Sequence, residues 1–300
     1  MKKQTATNDA ARKAATEARL ATMRANLDAI ESCADAILSK GRQEINHAER
    51  LALLNLVNVG FHTSGKIEGV YSIDSTAACG FCARMRKAAY DNALMICGCC
   101  YAAADSWKEA AWRRHQLNAR IMSQVLFTVD ELTTLALPAA YALVRYNEDG
   151  DTVNVVMARN YLRIAAGRPE ARFGYWYKNA PAVEAGLRAE GITCRDQLPK
   201  NVRFIHSSPL IGFPSAANWF DDAIFTVFPD QETTDAAIAS GAHACNGRKC
   251  ADCAFECYTM TRQASAIHIA EILRTNKARR AEILAAYNAR KQQEAAAPQA

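Results

Sequence analysis

Apolar positions Leu20, Met23, Leu27, Ile30, Ala34 and Ile37 recur at alternating steps of three and four. That spacing predicts one face of a helix, ended near Gly41, with residues 1–18 as a polar, alanine-rich, frayed lead-in. A second helix is expected from about Gln43 to Val57. Gly60, Gly65 and Gly69 break the period, and Gly69–Asp74 (GVYSID) has the composition of a strand. From Tyr101 to Phe127 the pattern is again helical. Strands are expected at Tyr141–Tyr146, Arg172–Lys178, Asn201–Ser208 and Phe225–Phe228. A helix over Val153–Ile164 stops before Gly167 and Pro169, and Pro181 opens a shorter one, where its missing N–H costs nothing. Residues 262–293 read as a last helix with Ile267, Ile272, Leu273, Ile283, Leu284 and Tyr287 on its apolar side.

Alternating strands and helices predict an α/β fold: a parallel sheet covered by helices, wound as a partial β/α barrel with N- and C-terminal helical extensions. The expected divisions are a helical extension (1–58), an α/β core (59–232), a cysteine segment (233–261) and a terminal helix with tail (262–300). Functional groups in such folds gather beyond the carboxyl ends of the strands. The cysteines at 79–100, the turn NEDGD, Lys178 and His206–Ser208 all follow expected strand ends.

Three hundred residues at 50% hydrophobic composition suffice for one large domain or two small ones. The opening MKKQTATNDAARK has no apolar stretch behind its basic residues, unlike a secretory signal. The most apolar run, MICGCCYAAA, is too short to span a bilayer. A cytoplasmic protein without membrane partners is the expectation. The net charge of +5 is uneven: residues 1–24 and 262–300 each carry +4, leaving −3 between them. Nucleic-acid affinity, if present, belongs to the ends, although basic helical ends are ordinarily solvated surface.

Eleven cysteines change the picture. Reducing compartments disfavour a disulfide framework, and clustered cysteines are more often metal ligands. Cys245, Cys250, Cys253 and Cys257 have the spacing C-x4-C-x2-C-x3-C. This differs from the bacterial ferredoxin run in its first spacer and in lacking the following proline. Four thiolates within thirteen residues suit an iron–sulfur cluster better than the separated pairs of zinc ribbons; zinc, with His243 as a ligand, is the alternative. Cys82, Cys97 and Cys100 form a second group. Three thiolates on a four-iron cluster leave one iron open to chemistry, unless Cys79 or Cys99 supplies a fourth ligand. Cys33 and Cys194 stand apart as ordinary thiols. His115, at helical spacing from Trp112 and Asn118, reads as a hydrogen-bonded core histidine.

The ordered motifs CARMRK, ICGCCYA, HQLN, VRYNEDGD, FGYWYKN, NVRFIHSSP and CNGRKCADCAFECY resemble the gene product 88 family of phage and plasmid proteins, from about His62 to Tyr258. More distantly, Cys97–Ala102 (CGCCYA) is similar to the end of the Cys-x3-Cys-x2-Cys-Tyr-Ala motif of radical S-adenosylmethionine enzymes. This chain departs from that motif in placing fourteen residues between Cys82 and Cys97. The resemblance implies a [4Fe–4S] cluster on Cys82, Cys97 and Cys100 beside Tyr101, and a second, auxiliary cluster on the other four cysteines. It implies S-adenosylmethionine cleaved reductively to a 5′-deoxyadenosyl radical, and hence a reductant as partner. It places Asp151, with Asp149 behind it and Asn147, at the cofactor, names Asp151, Lys178 and His206 as catalytic candidates, and turns Lys178 toward the substrate or the cofactor carboxylate. The substrate is unknown, a phage setting admitting a nucleotide, nucleic acid or translation component. Two other classes stand beside this one: a non-enzymatic zinc or iron–sulfur module binding nucleic acid through its basic ends, and a cluster that only staples the fold.

Overall fold

The computed structural model describes residues 2–75, 80–100, 109–138, 140–245, 249–253, 257–258 and 262–296. Its centre is an eight-stranded sheet. The strands are β1 (Gly60–Phe61), β2 (Val70–Ile73), β3 (Ala140–Tyr146), β4 (Glu170–Tyr177), β5 (Val202–Ser207), β6 (Ala223–Phe228), β7 (His243–Ala244) and β8 (Ile267–Ile272). Their order is β1-β2-β3-β4-β5-β6-β8-β7. Only β1 and β2 pair antiparallel; the other pairs are parallel. From β2 to β6, neighbours in the sheet are neighbours in the chain. Right-handed crossovers then place their helices on one face, as in a β/α barrel, and the result is a partial barrel.

That outer face holds the core. Between β2 and β3 run α3 (Gly80–Asp91), α4 (Glu109–Gln124) and the one-turn α5 (Val129–Leu132); α6 (Val155–Ala166) links β3 to β4, and α7 (Ala180–Ala189) links β4 to β5. Side chains alternate across a strand. Val144 and Tyr146 of β3, Phe173, Tyr175 and Tyr177 of β4 and Phe204 of β5 therefore share the helix side, packed in one cluster with Met157, Tyr161, Val183 and Leu187. Tyr146 stacks on Tyr161 at 4.2 Å. Leu143, Arg145, Gly174, Trp176, Ile205 and Ser207 occupy the opposite positions, on the concave side.

The N-terminal α1 (Lys2–Leu38) is helical through the stretch expected to fray, because alanine-rich sequence without glycine or proline has high helix propensity. It docks through buried Leu27 and Ala34, and Arg113 of α4 bridges to Asp28 and Glu31 at 2.6 and 2.7 Å. The next helix, α2 (His47–Leu56), begins four residues later than expected, at an Asn46–Glu49 capping box.

Beyond the short β1, α5 and β7 and the helix α3, for which no element was expected, two stretches differ from expectation. Residues 262–293 are not one helix: β8 comes first, inside the sheet, and α9 (Lys277–Ala296) follows. The apolar residues Ile267, Ile269, Ala270 and Ile272 of β8 form a short run that period alone does not separate from a buried helix segment. A helix α8 (Gln231–Ala239), capped by Asp230 and Thr233, also precedes β7. The residues after 232 therefore complete the sheet of the core. Among the described residues no helix is long and apolar enough to cross a membrane.

Candidate metal centre

The concave side of the sheet encloses a cavity of about 680 Å³, within the span of about 300–1,000 Å³ common for small-molecule sites. Cys97, Cys99 and Cys100 line it on one side and Cys245, Cys250, Cys253 and Cys257 on another, with Cys82 packed behind Cys100.

Cys82 lies in α3, just beyond β2, buried and packed with Cys100 and Trp112. Cys97 lies in a short 3-10 helix, Ile96–Cys99. That turn is pinned to the loop after β5, where the Ile96 N–H donates to the Pro209 carbonyl at 2.9 Å. Gly98 fits because a Cβ there would meet Ala89 at 3.1 Å and Arg279 at 3.2 Å. The adjacent cysteines part ways: Cys100 joins Cys82, whereas Cys99 packs with Leu94, Ile211 and Leu273 and bonds the Arg279 guanidinium. Lys178, at the end of β4, faces the first group. Burial disfavours its ammonium, yet Asp151, Cys97, Cys82 and Cys100 together hold its pKa above the ordinary value. Burial pushes the Cys97 thiol up, against the pull of Lys178.

The second group lies on another wall. The Cys245 N–H donates to Ala270 of β8 at 2.8 Å, and the Cys250 N–H to Lys66 at 2.6 Å. Tyr258 sits on Gly174, where a Cβ would be 3.0 Å from its ring and 3.3 Å from the Cys257 carbonyl. Burial pushes the Cys257 thiol up to about 12, with Cys245 and Cys250 adding to the rise and Arg145 opposing it. Thiols that oppose one another's ionisation in this way are suited to a shared cationic centre, which reverses the local balance. The Tyr258 hydroxyl and the Trp176 indole N–H are buried here without a hydrogen-bond partner among the described residues. Also among the described residues, no three cysteine sulfurs lie within 4.8 Å of one another. Four sulfurs on one zinc, bonded at about 2.3 Å, would sit about 3.8 Å apart.

The remaining candidate residues divide. Asn147 and Asp151 line the cavity, but their polar atoms are engaged. Asp151 is 1% exposed and accepts the N–H groups of Thr152, Lys178 and Asn179 at 2.7, 2.9 and 3.3 Å. It thereby fixes the backbone that aims Lys178. Asn147, in the left-handed region at φ 60°, ties β3 to β4 by donating to the Trp176 carbonyl at 3.0 Å. Asp149 turns away from the cavity toward His115, 3.5 Å off. His206 is also outside the wall: it shares strand parity with Phe204 and stacks on Tyr177 at 5.3 Å, on the helix side. Burial, then Lys178, depresses its pKa to about 4. Its neighbour Ser207 does line the cavity, while Ser208 bonds Thr226 at 3.0 Å. Tyr101 and Cys79 lie outside the described residues.

Sequence reasoning missed Lys66, Gly174 and Tyr258. A glycine between bulky residues in RFGYWY was the available signal, since a strand glycine marks close approach. Comparison with family models, curated proteins and solved structures found no match for the chain.

Proposed function

We propose that the chain is an iron–sulfur enzyme of the radical S-adenosylmethionine type. Cys82, Cys97 and Cys100 would hold a [4Fe–4S] cluster with one iron free of protein ligands, and Cys245, Cys250, Cys253 and Cys257 an auxiliary one. One observation carries this reading: two groups of thiols converge on separate walls of one cavity, inside a sequentially wound parallel sheet. The first group gathers where strand ends in such folds present their reactive residues. That no three cysteine sulfurs among the described residues lie within 4.8 Å of one another counts against a single four-cysteine zinc site.

Bound in this cavity, the cluster and S-adenosylmethionine would supply one-electron reductive cleavage, and the protein the binding, orientation and exclusion of water. Lys178, held by Asp151 through its backbone, presents a cation to the first group and to a carboxylate bound beside it. Arg145 does the same for the second group. Trp176, Phe225 and Ile269 provide apolar wall.

Anaerobic purification with assays for iron, acid-labile sulfide and zinc tests this. About eight irons and eight sulfides per chain are expected for two four-iron clusters. Reduction in the presence of S-adenosylmethionine should release 5′-deoxyadenosine. Zinc without sulfide would replace this reading with a non-enzymatic metal module. About four irons and no 5′-deoxyadenosine would leave a structural cluster.

A further inference from the structure

We propose a third metal site, separate from both cysteine groups, in which His62, Asp74 and Glu148 bind one divalent first-row transition-metal ion. One ligand atom from each residue lies within 4.8 Å of the other two. His62 Nε2 is 2.8 Å from Glu148 Oε2. His62 Nε2 and Asp74 Oδ2 both meet the Ser72 hydroxyl, at 3.0 and 2.7 Å.

Four segments converge to build the site, which sets it apart from a loose acidic patch. His62 follows β1, Asp74 follows β2, Glu148 follows β3, and His115 comes from α4. Asp74 Oδ1 accepts the N–H groups of Glu148 and Asp149 at 2.8 and 3.3 Å, leaving Oδ2 toward the imidazoles. His115 places Nε2 3.9 Å from Asp74 Oδ2 and Nδ1 3.5 Å from Asp149 Oδ2. His115 is thereby placed behind Asp74, between it and Asp149, where it orients a carboxylate ligand from outside the site. Gly60 keeps the approach open, since a Cβ there would lie 2.9 Å from Ser72 Oγ.

Charge points the same way. Asp74 is 5% exposed, and among the described residues no lysine or arginine forms an ion pair with Asp74 or Asp149. A divalent ion offsets that accumulation of carboxylates. Mixed imidazole and carboxylate donors suit manganese, iron(II) or zinc. His62 and Glu148 also line the cavity, so an oxygen-bearing ligand inside it can reach the ion.

Manganese(II) is the probe, because its preference for oxygen and nitrogen donors separates this site from the thiolates. The full chain, cleared of loose metal with chelator, is titrated with manganese while the free ion is followed by electron resonance. The expected result is about one ion per chain, with nitrogen coupling from imidazole in the pulsed spectrum. H62Q and E148Q should each weaken binding by at least about tenfold, whereas C97S and C250S should leave it unchanged. No uptake by the wild-type chain, or bound manganese without nitrogen coupling, overturns the proposal without recourse to any variant. Unchanged affinity in both H62Q and E148Q overturns it as well.

Discussion

The guanidinium carbon of Arg145 lies 4.3 Å from the centre of the Trp176 ring. The two residues stand on adjacent strands, and the ring holds the cation where it acts on Cys250 and Cys257. Nearby positive charge raises a cluster's reduction potential. R145M should shift the auxiliary centre negative by tens of millivolts, at about 60 mV for each tenfold change in a one-electron equilibrium. A redox titration followed by electron resonance checks this, and an unmoved potential would remove Arg145 from the account.

Gly174 is the floor under Tyr258. G174V should press on the Tyr258 ring and the Cys257 carbonyl, at an overpacking cost of about 1–3 kcal/mol. Iron and sulfide of the second group should fall while those of the first stay. Equal loss from both groups would mean that they are not separate centres.

The two groups should also be separable by their ligands. C100S should leave the auxiliary centre intact and abolish S-adenosylmethionine cleavage, and C253S should do the reverse to iron content, each removing up to about four irons. C99S should change neither, because the Cys99 sulfur is engaged by Arg279 and packs with Leu94, Ile211 and Leu273. Iron retained in C100S and lost in C99S would reverse that choice.

His206 gives the fold a pH dependence with a definite sign. Its pKa falls from an ordinary 6.5 to about 4 on folding, through burial and then Lys178. Between those values the unfolded chain binds the extra proton, so this residue costs stability as pH drops from 6.5 toward 4. H206Q should lose up to about 3 kcal/mol less over that interval than the wild type. Buried Asp221, raised to about 7, has the opposite slope and lies 3.5 Å from His206 Nδ1, so D221N and the double variant are measured beside H206Q to separate the two. Parallel denaturation curves for H206Q and wild type across pH 4–6.5 would count against the assignment.

Most of the sheet was legible because β3, β4 and β5 are apolar runs bounded by turn residues. Strand parity was legible too, yet it limits what nearness to a strand end implies. Trp176 and Lys178 share the concave face, whereas His206 keeps the parity of Phe204 and meets Tyr177, Asn218 and Asp221 on the other side. The turn NEDGD could not reveal which carboxylate faces which way. Gly150, at φ 87°, reverses the backbone between Asp149 and Asp151 and sends them to different sites. The strand β8 stayed hidden because its burial comes from β6 and β7, one strand brought from far along the chain and one only two residues long.

The sheet order β6-β8-β7 carries a consequence for how the molecule is assembled. Of the eight strands of this sheet β8 is made last, but it fills an interior place. Until residues 267–272 arrive, β6 has an open edge and β7 has no neighbour. The segment with Cys245, Cys250, Cys253 and Cys257 is the connection that must be laid down before that place is filled, and Cys245 is hydrogen-bonded directly to β8. Closing the sheet and gathering the second set of thiols are thus one late event of long sequence range, the kind that is slow to form.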